Sequence, residues 1–413
     1  MKKPAIEGGT PVRNTNLYYG HQYLDEEDYQ AVQEVLESDF LTCGPKIQEL
    51  EQALCALTGA QYAVAVSNGT AALHIACLAA GLQEGDELIT TPITFAASAN
   101  CALYCGARPV FADINPHTYN IDPDCIARCI TERTKVVVAV DYTGQAVELD
   151  RIQQLCEREE LILIEDAAHS IGTKYKGKMV GSIADMTTFS FHPVKTITGG
   201  EGGAVLTNDA KLYEKLLLYR SHGITRDETL MEVEEPEPWY YEQVGLGYNY
   251  RMTDIQAGLI ISQLHKLPRF TARRKEIVAR YDEAFRQLEG ILIQEEIPES
   301  DTTRHLYILC LQLDAFTITR RQFFDALAAE HICCNVHYIP VYYFPHYKKL
   351  GYGKGLCPNA EELYEGMISL PLYYGMHDQD VEDVICAVLT IAQYYSKNIV
   401  KESICQNRNS MLK

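Results

Sequence analysis

Three segments place residue types that do covalent and acid–base chemistry beside expected backbone bends. The first is Phe189-Ser-Phe-His-Pro-Val-Lys195, followed by Thr196-Ile-Thr-Gly-Gly-Glu-Gly-Gly203. A lysine just past a strand, ahead of four glycines in five residues, stands where the backbone must fold tightly around something. Partial desolvation there lowers the pKa of an amine and makes it a Schiff-base former. Most lysines are solvated surface charges, and Lys176 and Lys178 read that way. The second segment, Leu161-Ile-Leu-Ile-Glu-Asp-Ala-Ala-His169, puts Glu165 and Asp166 at the carboxyl end of a buried strand, the edge where open α/β sheets bind ligands. A carboxylate emerging from an apolar run needs a partner, because desolvation disfavours its charge. For Asp166 a cationic ring nitrogen would serve, and so would a plain helix N-cap. The third, Ser67-Asn-Gly-Thr-Ala-Ala-Leu73, follows a strand and opens a helix. Small residues let N–H groups approach an anion at the helix's positive end. Taken alone, it reads first as an ordinary strand-to-helix turn.

The elements that must position these residues form an alternating pattern. Asp25-Glu-Glu-Asp-Tyr-Gln-Ala-Val-Gln-Glu-Val-Leu opens a helix with an acidic cap and first turn. Short apolar runs follow, each trailed by a helical stretch: 62–66, 87–90, 109–111, 135–140 and 161–164. Continuous apolar runs without alternation suit strands covered on both faces, as in a parallel α/β sheet. Residues 185–191 and 203–207 read as strands joined without room for a crossover helix. Residues 227–240, with six acids, two prolines and the only tryptophan, read as a mobile acidic loop. Helical periodicity returns from Thr253 to about Glu289, with a break expected near Pro268. Beyond it a smaller α+β domain is expected, with strands at 305–313 and 332–337 and helices at 321–330 and 380–395. The expected division is an N-terminal arm (1–24), a large domain (25–255), a small C-terminal domain (256–396) and a polar tail (397–413).

The chain has 413 residues, 36 basic against 56 acidic side chains and a formal charge of −20. A field of that sign repels nucleic acid, so no such partner is expected. The longest apolar runs fall far short of the roughly 18 residues that span a bilayer, and Met1-Lys-Lys-Pro-Ala-Ile-Glu-Gly-Gly9 has no apolar core to make a signal peptide. Fourteen cysteines are scattered without a C-x-x-C. They read as reduced, packed thiols of a cytoplasmic protein, with no metal cluster. Gly172-Thr-Lys-Tyr-Lys-Gly-Lys178 has the spacing of a P-loop, but Met179 stands where Ser or Thr is needed. Gly351-Tyr-Gly-Lys-Gly355 is not G-x-G-x-x-G and follows no strand, which disfavours a nicotinamide enzyme.

The ordered set of phosphate turn, aromatic (Phe95), ring-nitrogen carboxylate (Asp166), serine and lysine (Ser190, Lys195) resembles the DegT-type sugar-nucleotide aminotransferases, which are fold-type I pyridoxal-phosphate enzymes. The resemblance runs from about Tyr19 to about Tyr395. It is carried by Thr91-Pro-Ile-Thr-Phe95, Glu165-Asp-Ala-Ala-His169, Ser190-Phe-His-Pro-Val-Lys195, Glu201-Gly-Gly203, Gly247-Tyr-Asn-Tyr-Arg-Met252 and Val336-His-Tyr338. Within the family, Ser38-Asp-Phe-Leu-Thr42, Asp141-Tyr-Thr-Gly144, Arg304-His-Leu-Tyr307 and His337-Tyr-Ile-Pro-Val-Tyr342 are most similar to the members that aminate C4 of a UDP-linked 4-keto-6-deoxy-N-acetylhexosamine in pseudaminic acid biosynthesis. There is one departure. The family commonly reads Thr-Thr-Gly-Glu-Gly-Gly after the lysine, and Gly199 replaces the second threonine, which removes a hydroxyl and implies a looser bend.

The resemblance implies pyridoxal 5'-phosphate as cofactor, an amino-acid donor such as L-glutamate, and a UDP-linked keto sugar as acceptor. It implies that Lys195 carries the cofactor as a Schiff base and later shuttles protons, that Asp166 pairs with the ring nitrogen, and that Phe95 stacks on the ring. Gly69, Thr70 and Ser190 would hold the phosphate. His169 would lie near the ring's phenolic oxygen, or cap the next helix. Asn249 would reach the phosphate of the neighbouring subunit, making a homodimer with shared sites. For the nucleotide sugar the resemblance points to Tyr19, to Asp39, Phe40, Leu41 and Thr42, and to Asn335, Val336, His337 and Tyr338. Arg251 would meet the pyrophosphate, while a plainer reading of the N-terminal stretch is an arm packed on the large domain. Rival readings are a sibling aminotransferase on another keto sugar, a dehydratase of the same scaffold (disfavoured by Lys195, which those replace with histidine), and a cofactor-bound regulator without turnover.

Overall fold

The computed structural model describes residues 2–233 and 237–397. Residues 234–236 of the acidic segment and 398–413 of the expected tail, and with them part of the expected mobile loop, lie outside the described residues.

Seven strands form the central sheet: β1 (Tyr62–Val66), β2 (Glu87–Thr90), β3 (Arg108–Phe111), β4 (Thr134–Val140), β5 (Ile162–Asp166), β6 (Met186–Ser190) and β7 (Gly203–Thr207). Their order is β1-β7-β6-β5-β4-β2-β3, with β7 antiparallel to both neighbours and the other pairings parallel. The unalternating apolar runs follow from burial on both faces. Successive strand residues point to opposite sides, so Val137, Ala139, Leu163 and Phe189 enter one core while Val136, Val138, Ile164 and Met186 enter another. By the same alternation, Asp166 shares its face with Ile164, and Glu165 shares the opposite face with Leu163.

Helices α1 (Glu26–Leu36), α2 (Pro45–Thr58), α3 (Gly69–Ala79) and α4 (Ala97–Tyr104) precede and interleave with the strands. Asp25 and Asp28 form the capping box of α1, the acidic start read from the sequence. The long helix α5 (Asp254–Phe285) contains Pro268 and does not break there. Proline removes one ladder bond, but neighbouring residues are clamped to α1. Lys266 donates to Asp25 and to Asp28, Gln263 Nε2 donates to Asp28 at 2.9 Å, and Arg269 donates to Asp25 at 2.6 Å. Those contacts hold the helix through the missing rung.

A second buried cluster surrounds the antiparallel strands β8 (Ile291–Ile293), β9 (Tyr307–Leu311) and β10 (Met367–Leu370), with α6 (Arg320–Ala329) and α7 (Asp378–Tyr395) packed on it. The strand expected over 332–337 is shorter. Only Ile332–Cys333 is extended, paired in parallel with Leu17–Tyr18, and Asn335 bridges to Ser369. Pairing ends there because the chain turns toward the central sheet. The N-terminal stretch is therefore fastened to this second cluster rather than to the large sheet: Glu330 accepts hydrogen bonds from Ala5 N and Val12 N at 2.7 and 2.8 Å. Along the acidic segment, the Glu242 carboxylate accepts from Glu232 N and Val233 N.

Candidate active site

A cleft of about 1140 Å³ opens at the carboxyl ends of β4, β5 and β6, between the sheet and the 335–339 strip. Its floor starts at the turn between β1 and α3. Asn68 caps α3, its Oδ1 accepting from Ala71 N at 2.8 Å. The first-turn N–H groups of Gly69 and Thr70 have no acceptor inside the helix and face the cleft with Ser190. A Cβ on Gly69 would lie 2.9 Å from Ser190 Cβ, so only glycine fits. The turn and strand β6 thus form one donor-lined cradle, which suits a phosphate.

Asp166 ends β5 with 4% of its surface exposed. Its Oδ2 accepts from Ser98 Oγ at 2.6 Å and its Oδ1 from Ala168 N at 3.2 Å. Burial pushes this carboxyl above the usual range, while those hydrogen bonds and the charge of Lys195 pull against it. Glu165 is also buried, but on the other face; burial lifts it to about 7, against a hydrogen bond from Thr187.

Lys195 lines the cleft on the loop after β6. Burial holds its amine down to about 8, opposed by the Asp166 carboxylate. The bend behind it is tight. Thr198 Oγ1 and Gly199 N both donate to Phe191 O at 3.0 Å, and Gly200 N donates to Thr198 Oγ1 at 2.9 Å. The looser bend expected from Gly199 is not found. A Cβ there would lie 2.6 Å from Ile260 Cγ1, so α5 fills the space a threonine would need.

Phe95 stands 63% exposed in the cleft, its ring 6.4 Å from that of Tyr338. His169 is buried, its Nε2 3.1 Å from Tyr338 Oη and its Nδ1 without a partner. Burial, with the Lys195 charge next, keeps its imidazole well below the ordinary range and hence neutral. On the opposite wall, His337 Nδ1 lies 2.9 Å from Ser369 Oγ and its Nε2 3.3 Å from Asn335 Nδ2. Burial, then the Lys195 charge, brings His337 down to about 4. Tyr19 packs 5.0 Å from the His337 ring, held by Leu372 N donating to Tyr19 O.

The structure therefore brings together Tyr19, Gly69, Thr70, Phe95, Asp166, His169, Ser190, Lys195, Asn335, Val336, His337 and Tyr338. It does not bring Asp39, Phe40, Leu41, Thr42, Asn249 or Arg251 to this cleft. Residues 39–42 are exposed beside the start of α5, where Leu41 O accepts from Asp254 N and Thr42 bridges Thr253. Asn249 is exposed and bridges Ser221, and Arg251 pairs through its backbone with Val66 at the sheet edge. Sequence reasoning missed Ser98, Thr94 and His305. His305 lies 4.4 Å from the His169 ring.

The cradle, a buried carboxylate, a shielded amine and an exposed aromatic ring are what pyridoxal phosphate requires: phosphate donors, a ring-nitrogen partner, a carbonyl-reactive amine and a stacking face. The residues present fit that group, and the sheet order with its antiparallel β7 is that of the fold-type I pyridoxal-phosphate enzymes. Residues 22–389 match the DegT/DnrJ/EryC1/StrS aminotransferase family, and the chain belongs to it. It is 41% identical over 383 residues (92% of this chain, 98% of the relative) to the spore coat polysaccharide biosynthesis protein SpsC of Bacillus subtilis. Identity is 38% over 379 residues (90% and 97%) to the UDP-4-amino-4,6-dideoxy-N-acetyl-beta-L-altrosamine transaminase of Campylobacter jejuni. Among solved structures, Helicobacter pylori PseC, an aminotransferase of pseudaminic acid biosynthesis, superposes with a TM-score of 0.85 at 34% identity, covering 92% of this chain and 100% of that one. The PLP-form of the "putative sugar aminotransferase Spr1654" from Streptococcus pneumoniae also gives 0.85, at 32% identity, with 92% and 99% covered. The chain is thus a pyridoxal-phosphate-dependent sugar aminotransferase, which takes a sugar substrate and an amino donor. Among the described residues no helix is long and apolar enough to cross a membrane.

Proposed function

We propose that this enzyme transfers the amino group of L-glutamate to C4 of a UDP-linked 4-keto-6-deoxy-N-acetylhexosamine. The product would be UDP-4-amino-4,6-dideoxy-N-acetyl-β-L-altrosamine, on the route to pseudaminic acid. The carrying observation is the polar wall of Tyr19 and Asn335–Tyr338 over the cradle, in a chain 38% identical to the Campylobacter transaminase. A second reading, amination of another nucleotide-linked 3-keto or 4-keto sugar, is supported by the 41% identity to SpsC. Incubation with glutamate and a panel of nucleotide keto sugars, with products identified by mass spectrometry and NMR, tests both. Amination at another carbon, or of a different nucleotide sugar only, overturns the first.

Pyridoxal phosphate supplies, when bound, an electron sink for the carbanion left when an amine-bearing carbon loses its proton. In our reading Gly69, Thr70 and Ser190 hold its phosphate, Phe95 its ring face, Asp166 its ring nitrogen and His169 its phenolic side. Lys195 would hold it covalently, and its Nζ would hold and move the proton. An amine with a pKa of about 8 can do both near neutrality. The 335–338 strip and Tyr19 orient the sugar and exclude water. We assign 25–255 as the cofactor-binding domain, 256–396 as the smaller domain and 1–24 as the arm, working in the cytoplasm, where the free cysteines stay reduced.

The placement of exposed Asn249 and 39–42, and of half-buried Arg251, outside the cleft supports a homodimer in which each protomer lends these residues to its partner's site. Lys195→Ala and Asn249→Ala homodimers should each be impaired, and mixing them should regenerate one intact site per heterodimer. Subunit exchange without returning activity refutes sharing.

A further inference from the structure

A carboxylate facing a pyridine nitrogen is useful only while ionised, and burial opposes ionisation. Asp166 has two donors from its own chain, Ala168 N at 3.2 Å and Ser98 Oγ at 2.6 Å. The shorter bond comes from the first turn of α4, where Ser98 is 1% exposed. Ser98 Oγ also lies 2.7 Å from Thr94 Oγ1, itself 3% exposed. An ionised carboxylate can only accept, so Ser98 donates to it, and the serine oxygen is then free to accept from Thr94. The result is a one-way chain, Thr94 to Ser98 to Asp166, and Phe95 sits between its first two members in sequence. The same turn that presents the aromatic ring therefore fixes the carboxylate. The two donors occupy one lone pair on each oxygen and leave the others for a ring nitrogen.

We infer that Ser98 is a positioning residue for transamination: its hydroxyl, oriented by Thr94, keeps Asp166 an anion in the pose that retains the shared proton on the ring nitrogen. This rests on the reading of Asp166 opposite that nitrogen. Charge-assisted hydrogen bonds to buried anions are short and strong, and this is the shorter of the two. In support, Ser98 is first among the influences that pull the Asp166 carboxyl back down against burial.

The test uses holoenzyme reconstituted with pyridoxal phosphate labelled with ¹⁵N in the ring. Its chemical shift separates protonated from unprotonated pyridine nitrogen. Ser98→Ala should move the resonance toward the unprotonated value and lower kcat about tenfold to a hundredfold, the size of a lost hydrogen bond to a charge, with the donor KM little changed. Ser98→Thr should restore both, and Thr94→Val should shift the resonance less but in the same direction. If Asp166→Asn moves the resonance while Ser98→Ala and Thr94→Val leave it in place, Ser98 only fills space and the inference fails. If Asp166→Asn also leaves it in place, the reading of Asp166 itself is wrong. Should Ser98→Ala fail to fold, Thr94→Val alone decides, and an unmoved resonance overturns the inference.

Discussion

Replacing Gly69 by alanine probes the phosphate cradle most directly. The new Cβ would lie 2.9 Å from Ser190 Cβ, 3.1 Å from Ser190 Oγ and 3.5 Å from Ser190 Cα. Carbon atoms in contact rest at about 3.5–4.0 Å, so α3 and the end of β6 must part by roughly half an ångström or more. The turn has little room to retreat, since a Cβ on Gly203 of the adjacent β7 would itself lie 2.6 Å from Asn68 O. Overpacking of this kind costs about 1–3 kcal/mol, readable as a lowered urea midpoint of the apoenzyme. The same parting separates the Gly69 N–H from Ser190 Oγ, so one phosphate no longer reaches both. Cofactor affinity, measured by fluorescence titration, should fall about tenfold or more, the loss of one hydrogen bond to a charged group. Ser190→Gly removes the obstructing atoms. The double variant should recover about 1 kcal/mol or more of stability relative to simple addition, yet still bind the cofactor weakly because the hydroxyl is gone. If Gly69→Ala binds the cofactor as the parent does, or the double variant shows no recovery, the close approach of α3 to Ser190 is not what shapes this site.

Other expectations follow from the same geometry. With Lys195 at about 8 instead of 10.5, the neutral amine at pH 7 is about 300-fold more abundant than for an ordinary lysine. Cofactor capture by the apoenzyme, followed by stopped-flow absorbance, should quicken with pH and level off above about 8; a rise continuing toward 10 contradicts it. Burial keeps His169, His305 and His337 neutral in the fold, so below about 6.5 the unfolded chain binds protons that the native state refuses. Stability should be intact above that pH and decline toward about 4, by up to about 1.4 kcal/mol per pH unit for each histidine. His305→Gln should flatten the slope of urea midpoint against pH, and an unchanged slope counts against His305. Lys266→Met leaves Asp28, whose side chain is 1% exposed, without its cation. A cost of about 3–5 kcal/mol in urea unfolding is expected, with Asp28→Asn recovering part; no loss would mean that the cluster is solvated in solution.

The sheet was legible because its signal is local. Each strand is one short apolar run, and the change of rhythm at β7 showed in the lack of room for a crossover helix between Ser190 and Gly203. The cleft residues at strand ends were legible for the same reason, since Asp166 and Lys195 sit where an apolar run stops. Ser98 was not, because the atom it serves belongs to a residue 68 positions away and nothing near it in sequence marks the contact. Pro268 misled because the contacts that carry α5 past it come from α1, more than 230 residues earlier in the chain. Gly199 misled in the opposite sense: its apparent slack is occupied by Ile260, again from a distant element. For 39–42, Asn249 and Arg251, family motifs named the residues, but the single chain leaves them outside the cleft, and the shared site proposed for them is a matter of assembly that no spacing within one chain encodes.

The 32-residue helix α5 is a spar. Its first half carries Ala257, Ile260 and Leu267 into the core under the sheet, and its second half carries Ile277, Tyr281 and Phe285 into the second cluster. Ile260 also abuts the bend that follows Lys195. Moving the second cluster against the sheet would mean flexing this rod, and it yields most readily at Pro268, where a rung is already missing. The bend behind the amine and the second cluster are consequently tied to one helix, whose weakest rung lies between them.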